Sequence, residues 1–123
     1  MTSTKQNQFS KQVFNLDEAL ENMGGDMDFL RDIVDVFSED YPEQIKQIQE
    51  GILAGDSKAV EMAAHSLKGS VANFAAGRAR EAAYRLEVLG REGNLGEAKE
   101  ALADLEREIG DLVAALNAVL KGP

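Results

Sequence analysis

Apolar residues toward the end of the chain step by three and four without interruption: Leu95, Ala98, Leu102, Leu105, Ile109, Leu112, Leu116 and Val119. Only a helix gathers that spacing onto one face. The same steps recur less regularly elsewhere, and the alternation that marks strands is missing, so the chain reads as all-α. A short helix from about Leu16 to Met23 ends at Gly24 and Gly25, where glycine can take the left-handed cap conformation. Asp26 then caps a long second helix with a stripe of Leu30, Ile33, Phe37, Tyr41, Ile45, Ile48 and Ile52. Pro42 lies inside that stripe and predicts a kink or break near Tyr41. Gly55 and Asp56 repeat the stop-and-cap pattern before a third helix from about Ser57 to Phe74. Gly77 punctuates again. A fourth helix from about Arg78 to Glu92 turns Ala82, Ala83, Leu86 and Leu89 inward and closes at Gly93-Asn94, ahead of the fifth.

The last stripe would suit a coiled-coil seam as well as a bundle helix. Matching stripes and short connections in the preceding segments favour an antiparallel bundle. Residues 1–12 are expected to form a mobile polar tail and residues 13–121 a single domain; 123 residues suffice for one core.

Composition narrows the chemistry. The chain has no cysteine and one histidine, which removes disulfides, thiol nucleophiles, Cys zinc sites and every His-pair metal motif. No resident metal is expected. A formal net charge of −9 disfavours nucleic acid and anionic membrane as partners, since both attract clustered Lys and Arg. No apolar run approaches the roughly 20 residues of a membrane span, and the polar opening is no signal peptide. A protein partner, a monomeric state and a cytoplasmic location are the defaults.

The single histidine stands in AAHSLKGSVANFAA, residues 63–76. At about 100° per residue, with His65 at zero, Val60, Ala63, Ala64, Leu67, Val71 and Phe74 fall between about 160° and 260°. His65 lies opposite this buried arc and should be exposed. Lys68 and Glu61 flank it on one side, and Gly69 lies about 40° away on the other. Glycine in an exposed helix interior costs roughly 1 kcal/mol relative to alanine. Close approach of another molecule to the ring explains it. A neutral imidazole is a competent nucleophile near pH 7. Lys68, one turn on, could offer an ammonium to a phosphoryl oxygen, or could be an ordinary solvated lysine. Glu61, one turn back, could orient the ring by accepting from Nδ1, or could be a plain surface carboxylate. Met62, Ala72 and Asn73 are candidates for the less charged part of a docking surface.

This stretch closely resembles the signature of histidine-containing phosphotransfer (HPt) domains, in which a histidine is followed after one residue by Leu-Lys-Gly and later by an apolar-Gly pair. His65, Leu67, Lys68, Gly69 and Phe74 match; Ala75 stands where the family has glycine, with Gly77 two residues on. MGGDMDFLRDIVDVFSEDYPEQI and LAGDSKAVEMAAHSLKG resemble the family's approach to its second and third helices, so the resemblance covers about residues 13–121. It implies an antiparallel four-helix bundle with a short N-terminal helix packed on it. It also implies a phosphoryl relay between receiver domains of a hybrid histidine kinase and a response regulator. On this resemblance His65 would be phosphorylated at Nε2, Lys68 would stabilise the phosphoryl group, and Gly69 would keep the approach open. Mg²⁺ would belong to the partner receiver, and the chain would be a carrier rather than a kinase.

Two other readings stay open. The regular last stripe would suit a helical adaptor or dimerisation module, and a histidine-bearing domain of a chemotaxis-type kinase would share the fold. Gly24-Gly25-Asp26 also resembles the Gly-Gly-Asp of diguanylate cyclases, but capping alone accounts for it between two helical patterns.

Overall fold

The computed structural model describes residues 13–120. The expected tail at residues 1–12 and the final residue of the expected domain lie outside them. Among the described residues are five α-helices, α1 (Leu16–Asn22), α2 (Met27–Ala54), α3 (Ser57–Ala72), α4 (Gly77–Glu92) and α5 (Ala98–Leu120), with a 3₁₀ turn at Leu95–Glu97 before the last. Helix α2 packs on α3, α3 on α4, α4 on α5 and α5 back on α2, which closes an antiparallel four-helix bundle; α1 packs on α2. Among the described residues no helix is long and apolar enough to cross a membrane.

Capping side chains set where the helices begin. The side chains of Asn15, Asp26 and Asp56 each accept a hydrogen bond from the backbone N–H three residues on, at 3.1, 3.1 and 3.0 Å. Gly24, Gly25, Gly55 and Gly93 all have positive φ, so these glycines serve as helix stops.

Helix α2 runs unbroken through Pro42, so of the expected kink or break the break is absent. Pro42 faces solvent, where water can bond the carbonyl that loses its helical partner. On α2 Leu30, Val34, Phe37, Ile45, Ile48 and Gly51 are buried; Ile33, Tyr41 and Ile52 sit at the edge of the core. Phe37 stacks on Tyr41 and meets Phe74 edge-on, with ring centroids 5.3 Å apart in both pairs. Every residue of the predicted inner arc of α3 is buried. In α5 the seam holds from Ala98 to Leu116, after which Leu120 rather than Val119 turns inward. A strict seven-residue repeat drifts about 20° per heptad on a straight helix, so by Val119 the register has slipped toward solvent.

Helices α3 and α4 meet most closely. A Cβ on Gly90 would lie 2.5 Å from the Glu61 backbone nitrogen and 2.8 Å from the Ser57 carbonyl oxygen, so only glycine fits this crossing. The turn that joins them carries the fold's one unusual backbone. Helix α3 ends at Ala72 rather than Phe74, and Ala75 takes φ +53°, the only described non-glycine residue with positive φ. Alanine in the left-handed region costs roughly 1–2 kcal/mol, partly offset by glycine's larger unfolded-state entropy. Ala75→Gly is therefore expected to stabilise the domain by about 0.5–1 kcal/mol, a rise of a few degrees in a thermal melt. An unchanged or lower melting temperature would show that the Ala75 methyl group contributes packing that outweighs its strain.

Candidate functional site

Helix α3 presents His65 outward, with 63% of its side chain exposed. This is the orientation the apolar periodicity requires, because Ala64 and Leu67 beside it anchor the opposite face in the core. A Cβ on Gly69 would meet nothing within 4 Å, so the surface next to the ring is open.

The ring's partner comes from α4. Glu87 is buried at the seam of the two helices, its side chain only 5% exposed, and it gathers three basic groups. Its Oε2 lies 3.3 Å from His65 Nδ1 and accepts from Arg91 Nη2 at 2.6 Å, while its Oε1 is 2.8 Å from the Lys68 ammonium. Burial pushes the Glu87 carboxyl up, but the hydrogen bonds and charges of Lys68 and His65 outweigh it and hold the group below its ordinary value. A carboxylate facing Nδ1 favours the tautomer with its proton there. The lone pair then stands on Nε2.

Glu61 does not touch the ring. It accepts from Arg91 Nε at 3.2 Å and lies 3.5 Å from Lys58 Nζ, so its place in the site is to hold Arg91. That hydrogen bond, against a smaller opposing effect of burial, raises the Arg91 guanidinium further above its usual range. The carboxylate facing Nδ1 is Glu87, and of the two readings open for Glu61 the ring contact is not made, because α4 brings Glu87 to that side of the ring. Lys68 is likewise no free solvated lysine: its side chain is 19% exposed and ion-paired with Glu87.

Met62 is exposed one turn before His65 and lines a groove of about 500 Å³ between α2 and α3, with Gly51, Ala54, Ala59 and Ser66. Ala72 and Asn73 lie about 15 Å further along the α3 axis than Met62. There Ala72 lines a separate hollow with Asn15, Glu18 and Arg80, and the Asn73 carbonyl accepts from the Asn22 side chain at 3.2 Å. The three candidates thus occupy two separate parts of the surface.

Glu87 and Arg91 are the site residues that the apolar pattern did not reveal. Glu87 follows Ala83 by four residues and precedes Gly90 by three, on the edge of the inner arc of α4. A carboxylate at that position, four residues before an arginine, was the available signal.

Because folding lowers the Glu87 carboxyl below its unfolded value near 4.3, its charged form stabilises the fold above that pH. The contribution is lost as pH falls through the lower folded value. Glu87→Gln is therefore expected to cost roughly 1–3 kcal/mol at pH 7, since it removes a charged acceptor from buried hydrogen bonds. The gap between the two melting temperatures should narrow once pH falls below the unfolded value and close only below the lower folded one, where the wild-type carboxyl is also neutral. A gap of constant size across that range would mean that the Glu87 charge does not contribute.

A comparison with protein families finds that the model described as Hpt domain matches residues 32–118, from within α2 to within α5. Among curated proteins and solved structures no match was found. The family model spans more than two thirds of the sequence, including the whole of α3 and α4 with the histidine and its buried carboxylate. The chain belongs to the Hpt-domain family, the phosphocarrier modules of phosphorelays.

Proposed function

We propose that this chain relays a phosphoryl group between aspartates of receiver domains, those of a hybrid histidine kinase and of a response regulator, through a phosphohistidine at His65. The observation that carries the reading is the pairing of His65 Nδ1 with the buried Glu87 carboxylate, which leaves Nε2 as the exposed nucleophilic nitrogen.

In the forward step Nε2 attacks the phosphorus of an aspartyl phosphate. The N–P bond forms as the P–O bond to the aspartate breaks, and the carboxylate leaves with the electron pair. The proton on Nδ1 stays in place, so the ring becomes cationic as it takes the phosphoryl group. Glu87 faces that developing charge. Lys68, already at the site, offers an ammonium to the incoming phosphoryl oxygens. Return to a second aspartate is the same step reversed, and both linkages are reactive enough for either direction. Mg²⁺ would be held by the receiver's carboxylates, not by this chain.

The adaptor reading loses its main support, because the α5 stripe from Leu102 to Leu116 is consumed by the bundle's own core. The chemotaxis-type alternative differs in its donor, a kinase with ATP rather than a phosphorylated receiver.

Incubation with a phosphorylated receiver and Mg²⁺ is expected to yield label that is acid-labile and alkali-stable. His65→Gln should abolish it while leaving the melting temperature nearly unchanged, since the ring is exposed. Label persisting in His65→Gln would assign the chemistry to another residue, and no label with several receivers would return the adaptor reading to the front. Gly69→Leu fills open space on a helix and should preserve or raise stability while it weakens transfer from the receiver. Normal transfer in that variant would remove the access role from Gly69.

A further inference from the structure

Tyr84 has no part in the chemistry described so far, and no part in the core. It lies on α4 one turn before Glu87, 43% exposed, where a large aromatic ring gains little from packing in its own bundle. Its ring face is occupied by the Lys68 ammonium, 5.0 Å from the centroid. The lysine thus bridges from α3 to two groups of α4, the Glu87 carboxylate at 2.8 Å and the Tyr84 ring.

These two contacts constrain the ammonium differently. Glu87 holds Nζ in an ion pair, 2.8 Å from Oε1, and draws it down into the seam. An aromatic face attracts a cation through its quadrupole over a broad area, without fixing any one N–H. An ammonium that rests on the ring can therefore pivot from Glu87 toward a phosphoryl group on His65 without losing that attraction. Without the ring, a flexible four-carbon side chain would have to leave its only partner and order itself anew at each transfer.

We propose that Tyr84 is a positioning residue that holds the Lys68 ammonium within reach of the phosphoryl group on His65. The inference rests on the relay reading above. Removing the ring should slow phosphorylation through Lys68, and the phenol oxygen plays no part.

The test compares wild type, Tyr84→Phe, Tyr84→Leu, Lys68→Ala and the Tyr84→Leu/Lys68→Ala double variant, each with two donors: a phosphorylated receiver with Mg²⁺, and phosphoramidate. With phosphoramidate, Nε2 displaces ammonia from phosphorus, and no protein surface has to dock. Tyr84→Leu should slow the saturated rate about two- to fivefold with both donors, the range a cation–π contact supports. Tyr84→Phe should restore it, and Tyr84→Leu should add nothing once Lys68 is alanine. A Tyr84→Leu defect confined to KM with the receiver would make Tyr84 a docking contact and overturn the proposal. An equal loss in the Lys68→Ala background would overturn it too. Proton NMR of unphosphorylated protein reads the placement separately: the Lys68 ε-methylene should be shifted upfield by the ring and lose that shift in Tyr84→Leu. If wild type took no phosphate from either donor, the relay reading would fail. An unshifted ε-methylene would sink the Tyr84 placement on its own.

Discussion

A carboxylate buried between two helices is tolerated only when basic groups surround it, and the arrangement around Glu87 depends on that requirement. Its side chain holds His65, Lys68 and Arg91 at once, two from α3 and one from its own helix. This is possible because Gly90, one turn later, brings the α4 backbone against that of Ser57 and Glu61. A wider crossing would let water in, and the ion pairs would weaken as the surroundings became more polar. The site is therefore built into the packing of the bundle: the same close approach that buries Leu67 and Leu86 brings the carboxylate to the imidazole.

Helix order, the capping residues Asp26 and Asp56, the inner arc of α3 and the exposure of His65 were all legible, because each follows from a local period or a local hydrogen bond. Pro42 did not break α2, since a proline's cost depends on whether the carbonyl it orphans faces water, which no local pattern records. Val119 misled through small angular errors that accumulate along a heptad repeat. Ala75 marks the opposite case: the sequence departs from the family's glycine, yet the chain keeps the left-handed turn and bears the strain. Glu87 stayed hidden for a different reason. Its role lies in a contact 22 residues away in sequence, and a glutamate on a charged helix reads by default as solvated. Glu61 then stood in for it, as the nearest carboxylate on the histidine's own helix.

The cluster also answers an electrostatic problem set by composition. A phosphoryl group brings close to two negative charges to a chain that already carries a formal net charge of −9. Around His65 the balance is local and different: Lys58, Lys68 and Arg91 face Glu61 and Glu87, three cations against two carboxylates. That slight excess offsets repulsion without forming a cationic cage. For a carrier the distinction matters, because every interaction that favours the phosphorylated resting state over the transition state slows the onward step. A lysine whose charge is already shared with the Glu87 carboxylate has less to give to a bound phosphoryl group than a free one would. On the proposed reading, the pairing that occupies Lys68 is what keeps His65 able to release the group it accepts.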